Sequence, residues 1–390
     1  MQEGAVHIWD WHVKSPHPVE TLKPLMVLTN PWRLPLLFLV SGAATRFMAD
    51  KMTAGALLRQ RMWRLLPPLL FGIVVVVPPQ TYEQVTRSLH QSIGPAEFYA
   101  RYLTASGHWV DPHMGGAIMT PTWNHLWFVA YLAVYSAILC AVLAVGRGGV
   151  ERVRGLGERL FAHSWAVLLV PMAGAIATRM ILVPRFHDTH AMVGDWNVHA
   201  ESALPFLFGY LFGKSEAVWN AIARARRPAL MLAVLGYLGV AVYQIAYPTY
   251  DAPAWVYPAS RFAFGVDQWA SVVAILGFAR VHLGAVRDGP IRRYLTDAIF
   301  SFYIVHQTII VLAAPWLVGL GLPQGLEATL LIAITTLGCF ATYEAVRRVQ
   351  MLRPVFGLSW RPKPQLQASA RAAARPFTSI PLAPAGEDAI

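Results

Sequence analysis

His306 stands in Ser301-Phe302-Tyr303-Ile304-Val305-His306-Gln307, inside an apolar run. A neutral imidazole facing a cavity there can act as a base or carry a proton. The alternative is a histidine that bonds a neighbouring helix and only fixes packing. Ser301 and Gln307 add polar groups to the same stretch. His125 stands in Pro121-Thr122-Trp123-Asn124-His125-Leu126-Trp127-Phe128. Trp123 and Trp127 fit the aromatic belt of a membrane interface, but Asn124 and His125 between them do not. Both a site role and a packing role stay open for His125. Arg61 and Arg64 are three apart and share a helix face. With Arg59 they can clamp a phosphate-bearing molecule, because guanidinium binds phosphate bidentately. The competing reading is topological, since arginines crowd one membrane face throughout this chain.

Other polar groups point less clearly. Glu201 follows Asp195 and His199 near one end of an apolar segment, Glu344 lies near another, and Asp297 reads as an N-cap or first-turn acid. His187-Asp188-Thr189-His190 has no second cluster to complete a metal site and reads as a solvated loop, so no metal is expected. Cys140 and Cys339 sit in apolar runs as small packing residues, without a CxxC pair or a disulfide framework. Walker A, GxGxxG, HExxH and GxSxG contexts are missing. Ser41-Gly42 reads as a small-residue helix contact.

The elements that must position these residues are membrane helices. Of 390 residues, 56% are hydrophobic and 14% charged, against about 25% charged in soluble domains. The mean hydropathy is +0.44. Apolar runs long enough to cross a hydrocarbon core recur along the chain, and predict spans over 34–48, 65–79, 123–145, 164–183, 199–213, 229–247, 262–282, 298–318 and 326–346. The fold class is all-α, a polytopic transmembrane bundle of nine spans. The net charge of +11 fits membrane-face loops; no basic patch with interleaved aromatics lies outside them, so no nucleic-acid partner is expected.

With these spans, 24 of the 32 Lys and Arg residues fall on one face. The other 8 are Lys14, Lys23, Arg33, Arg87, Arg101, Arg179, Arg185 and Arg261. This bias places the C-terminus in the cytoplasm of a multi-pass inner-membrane protein. Residues 1–33 then form an extracytoplasmic segment, 34–350 the transmembrane domain, and 351–390 a Pro- and Ala-rich cytoplasmic tail that reads as disordered. The connection 80–122 is a long outer loop rich in Tyr, His, Gly and Pro. Nothing apolar in residues 1–33 can carry them across. A further helix upstream, and ten spans in the natural chain, is therefore expected; the alternative is a short tail drawn across by the charge bias.

Four local patterns then suggest a family. They are Leu34-Pro35-Leu36-Leu37-Phe38-Leu39-Val40-Ser41-Gly42, Arg59-Gln60-Arg61-Met62-Trp63-Arg64-Leu65-Leu66-Pro67-Pro68, His125-Leu126-Trp127-Phe128 and Ser301 to Gln307. In this order, on alternating helices, they resemble the acyltransferase-3 family of membrane O-acyltransferases, nearest its glucan biosynthesis protein C-like branch. The resemblance covers about residues 9 to 350. It implies transfer of an acyl group from a cytoplasmic donor, usually acyl-CoA as co-substrate, to a hydroxyl of an extracytoplasmic glycan, with no bound cofactor. Arg61 and Arg64 match the family's Arg-x-x-Arg donor motif, with Arg59 beside them. His306 and His125 match its late-helix histidine and its HLWF-like segment, and are the candidate catalytic residues.

The chain departs from the family at one place. The family's catalytic pair is an arginine and, about ten residues on, a histidine on its first helix. Asp10-Trp11-His12-Val13-Lys14 resembles the stretch just after that histidine, so the expected upstream helix is the one that would hold it. His12 is no substitute. Two rival readings remain. A secondary transporter needs charged pairs in broken helices at the midplane, and no midplane acid is expected here. A haem-binding subunit needs facing histidines on two spans, for which only His125 and His306 qualify.

Overall fold

A computed structural model describes residues 23–111, 116–247, 251–283 and 289–360. The segments 1–22 and 361–390, with the expectation placed on His12 and most of that placed on the tail, lie outside the described residues; residues 351–360 of the expected tail are described, and Pro354 and Phe356 there are buried. The chain runs α1 (Lys23–Val27), α2 (Asn30–Ala49) and α3 (Ala54–Phe71). A π turn, Gly72–Val76, joins α3 to α4 (Pro78–Glu83), and a second π turn, Gln84–Ser88, follows. Then come α5 (Pro95–Leu103), β1 (Val110–Asp111), β2 (Gly116–Ala117) and a 3-10 turn at Asn124–Leu126. The rest is helical: α6 (Trp127–Phe161), α7 (Ser164–Ile181), α8 (Trp196–Phe212), α9 (Glu216–Ala246), α10 (Val256–His282), α11 (Pro290–Gly319), α12 (Gln324–Arg348) and α13 (Leu352–Val355).

All nine predicted spans fall on helices. Among the described residues, seven helical stretches are long and apolar enough to cross a membrane: Ala54–Arg87, Asn124–Phe161 and the helices α7, α9, α10, α11 and α12. The first and fifth predicted spans are α2 and α8, which pair side by side. A Cβ on Gly42 would collide with the Phe206 carbonyl, and one on Gly209 with the Leu39 carbonyl. Glycine is what lets these two backbones approach so closely.

Local signals explain the boundaries. The Thr53 hydroxyl accepts from Ala56 N at the start of α3, and the Ser215 hydroxyl accepts from Val218 N at the start of α9. The third predicted span ends at 145, and α6 breaks at Gly146 (φ −140°, ψ 39°). Beyond that break α6 is charged. Arg46 pairs with Glu151 at 2.6 Å and with Asp50 at 3.3 Å, and Arg154 pairs with Glu151 at 2.7 Å and Glu158 at 2.9 Å. Lys214 joins Asp50 at 2.5 Å. The end of α2, the extension of α6 and the α8–α9 turn thus meet at one basic face, as the charge alternation requires.

Helix α10 sits deepest in its half of the bundle. Gly265 through Ala274 are buried on all sides, packed by α7, α9 and α2, with Asp267, Gln268 and Ser271 enclosed among them. The stretch 80–122 is not a simple loop. Val85, Phe98, Tyr102 and Trp109 give it a small core of its own, and β1 and β2 pair Val110 with Ala117.

Candidate active site

The site begins with a rod. The helix entering at Ala54 continues through the π turn to residue 87. In the π pattern Val77 N donates to the Gly72 carbonyl at 2.9 Å. The next two donors would be Pro78 and Pro79, which have no N–H. The carbonyls of Ile73 and Val74 are thereby orphaned, and tyrosines of α5 replace the missing donors. Tyr102 OH lies 3.0 Å from both Ile73 O and Thr122 O and shares its one hydrogen between them, and Tyr99 OH donates to Val74 O at 2.7 Å. Burial pushes the Tyr102 phenol up to about 12, so it stays a donor at neutral pH. Thr308 on α11 closes a third gap, donating to Val76 O at 2.8 Å.

This stitching fixes Gln80, which is fully buried. Its amide nitrogen donates to Thr308 Oγ1 at 2.6 Å, and its oxygen accepts from Asn124 Nδ2 at 3.3 Å. The same nitrogen lies 3.5 Å from His125 Nδ1, a long contact. His125 Nε2 faces the Ile304 carbonyl at 3.0 Å, so Nε2 carries the hydrogen and Nδ1 is the lone-pair side turned to Gln80. Tyr303 OH donates to the His125 carbonyl at 2.5 Å.

His306 stands edge-on to His125, ring centroids 5.5 Å apart. Its Nδ1 lies 2.8 Å from Tyr303 O and 3.2 Å from Phe302 O, one turn earlier on its own helix. Carbonyls only accept, so Nδ1 carries the hydrogen and Nε2 holds the free pair. Among the described residues nothing is hydrogen-bonded to that Nε2. The two histidines predicted from sequence are thus brought together but differ. His125 is tied at both nitrogens, whereas His306 presents a basic nitrogen. Arg33, in the first turn of α2, is near enough to act on His306 electrostatically.

The three arginines are separated. Arg59 and Arg64 are exposed, while Arg61 is buried between α3 and α6 and donates from Nε to Ser136 Oγ at 3.2 Å. Among the described residues none of the three forms an ion pair, and the buried Nη2 of Arg61 has no hydrogen-bond partner. A buried guanidinium beside the like charge of Arg64, with no acid to meet it, favours a bound anion. Ser136 lies eleven residues along α6 from His125, about 16 Å at 1.5 Å per residue.

A second polar network shapes the face opposite the basic one. Tyr131 OH donates to Asp195 Oδ2 at 2.6 Å, and His190 N and Thr189 N donate to the same carboxylate at 3.0 and 3.2 Å. The stretch expected as a solvated loop is a loop with His187, Asp188 and Thr189 exposed, and His190 turned partly inward. His190 packs on Trp127 with ring centroids 4.2 Å apart, and burial holds its imidazole below the usual range, hence neutral. No group of three or more metal-capable side chains occurs among the described residues.

Other sequence expectations change. Asp297 is no N-cap, because α11 begins seven residues earlier at Pro290. Glu201 pairs with Arg179 at 2.7 Å. The expectation of no midplane acid fails: Asp267 is 1% exposed, eleven residues into α10, and accepts from Ser271 Oγ at 2.6 Å. Among the described residues it forms no ion pair. Sequence reasoning missed Asp267, Gln80, Thr308 and Tyr303. The usable signals were Asp267-Gln268 interrupting an apolar run, and a glutamine directly after Pro78-Pro79.

Comparison with known proteins gives one match. A family model described as an acyltransferase domain, acyltransferase-3, matches residues 5–344. No curated protein and no solved structure matches the chain.

Proposed function

This chain belongs to the acyltransferase-3 family, and from that premise we propose that it is an inner-membrane O-acyltransferase with its basic face in the cytoplasm. It moves an acyl group from acyl-CoA to a hydroxyl of an extracytoplasmic glycan, such as the periplasmic glucans of the branch its motifs resemble. The observation that carries this reading is the free Nε2 of His306, held beside His125 and Tyr303, together with a buried Arg61 whose Nη2 has no partner among the described residues.

Arg61 and Arg64 take the phosphates of the donor, and Arg59 adds charge at the mouth. The thioester arm then rises along α6 toward the histidines. His306 Nε2 accepts the proton of the acceptor hydroxyl as its oxygen attacks the thioester carbonyl. A C–O bond forms, the C–S bond breaks, and the proton passes from His306 to the departing thiolate. His125 touches Ile304 and Gln80 and acts by positioning, holding α6 and α11 in register at the reacting atoms.

The test uses the full chain in lipid nanodiscs with radiolabelled acyl-CoA and glucan acceptor. His306→Ala is expected to lower transfer by about 10²–10⁴-fold, the usual worth of a positioned base. Arg61→Ala is expected to raise the KM for acyl-CoA more than it lowers kcat. Full activity in His306→Ala would sink the base, and acyl-CoA independence would sink the donor.

A further inference from the structure

Between α7 and α8 the chain makes a loop with a strained backbone. His190 (φ +53°) and Met192 (φ +72°) both lie in the left-handed region, and neither is a glycine. Such conformations persist only where the surroundings hold them. Here the holder is Asp195, which is fully buried. Its Oδ2 accepts from Tyr131 OH and from His190 N, and its Oδ1 accepts from Thr189 N. Two further ties fix Met192. Its N donates to Tyr131 OH at 2.9 Å, and its carbonyl accepts from His199 Nε2 at 2.7 Å.

The strained loop is fastened to the turn that carries His125. Trp123 Nε1 donates to the His190 carbonyl at 2.8 Å, and the His190 ring lies on Trp127, centroids 4.2 Å apart. These tryptophans stand two residues before and two residues after His125. A relay of two hydrogen bonds thus passes through a single residue: Trp123 donates to the carbonyl of His190, and the N–H of His190 donates to Asp195. From the other side, Tyr303 and Ile304 of α11 hold His125 itself. Asn124 is also left-handed, at φ +40°, and its amide meets Gln80 on the rod. The turn 123–127 is therefore held from α11, from the rod and from the α7–α8 loop.

Resting on the proposed acyltransferase reading, we propose that Asp195 is a positioning residue for acyl transfer: through His190 and Trp123 it sets the turn that places His125 beside His306. A loop that only joined two helices would need no left-handed histidine or methionine. The ties that offset this strain end on the two rings flanking His125. Asp195→Asn keeps the size of the side chain but turns an NH₂ toward N–H and O–H donors, so at least one tie is lost. Trp123→Phe removes the indole N–H and keeps an aromatic ring.

The experiment measures kcat, KM and the unfolding midpoint in nanodiscs for the native chain, Asp195→Asn, Trp123→Phe and the double variant. The donor is whichever of acetyl-, butyryl- and octanoyl-CoA the native chain uses best, with glucan as acceptor. Asp195→Asn is expected to lower kcat about 10–100-fold, the cost of a small misplacement of reacting groups. KM for the donor is expected to change by less than about twofold, because the relay does not include the donor arginines. Trp123→Phe is expected to lower kcat in the same range, and the double variant no further than the worse single one, since both cut one relay. In a His306→Ala background, Asp195→Asn is expected to change the residual transfer by less than about twofold. Tyr131→Phe, which removes one donor to the same carboxylate, takes its place if Asp195→Asn does not fold. A folded Asp195→Asn with a lowered midpoint and native kcat overturns the positioning role and leaves a loop anchor. A multiplied loss in the double variant overturns the relay, as does a raised KM for the donor in place of a lowered kcat. A native chain that transfers no acyl group overturns the acyltransferase reading, and the positioning role with it.

Discussion

Around α10, helices touch backbone to backbone; around α3 and α11 they touch through rings. Gly236 of α9 lies against the backbone of Asp267, Gly265 of α10 against Ile176, and Gly277 against Ile222 and Arg226. The apolar cluster there is rich in alanine: Ala221, Ala225, Ala229, Ala233, Ala270 and Ala274. In the other half, Phe38, Tyr131, Tyr135, Phe206 and Phe356 fill the cluster, with His125, His306 and Gln80 among or beside them. Close backbone packing is how membrane helices associate firmly without a hydrophobic drive between them. It leaves no space for a guest. Rings keep helices further apart, and the gaps between them admit substrates and let polar groups converge. On the proposed reading, one half is scaffold and the other holds the candidate site.

The sharpest way to break this division is to exchange the expected effects. His306→Ala should cost about 10²–10⁴ in activity with an unchanged unfolding midpoint; a matching loss of stability would make His306 another packing residue. Gly209→Ala should do the reverse. Its Cβ meets the Leu39 carbonyl, and the overpacking should cost about 1–3 kcal/mol of stability, read as a lower midpoint in detergent. An unmoved midpoint would show that the α2–α8 contact yields easily. Tyr102→Phe stands between the two. It strips the donor to Ile73 O and the acceptor for Thr122 N, and should cost about 1–3 kcal/mol while lowering activity through Gln80. Stability lost without activity would uncouple the outer segment from the site. Smallest should be Asp267→Asn. The amide keeps a partner for Ser271, so stability and activity should change by under about 1 kcal/mol. A large activity loss would place chemistry in the half assigned to scaffold.

The sequence showed the spans and the two histidines because each of those signals is local. Apolar length marks a crossing, and a histidine within one stands out. The helix break at Gly146 falls where hydropathy gives way to charge, for the same reason. Gln80 was hidden because a polar residue after two prolines looks like the start of a loop, and only Thr308, 228 residues away, makes it a structural hub. Asp267 was diluted by the apolar residues around it. Arg61 and Arg64 looked alike in sequence, and only Ser136 on α6 shows that one turns inward while the other does not. The contact of Phe356 with Phe71 joins residues 285 positions apart with no periodicity to announce it. Contacts of this range are made by the fold and cannot be read from a window.

The rod also sets an order of events while the protein is being made. The carbonyls of Ile73 and Val74 meet their donors only in Tyr99 and Tyr102, on a helix that follows the rod in the chain. Until α5 has folded back against the rod, that stretch of backbone lacks these donors in a medium that offers no substitute. The rod is therefore finished by docking of α5 rather than by its own winding.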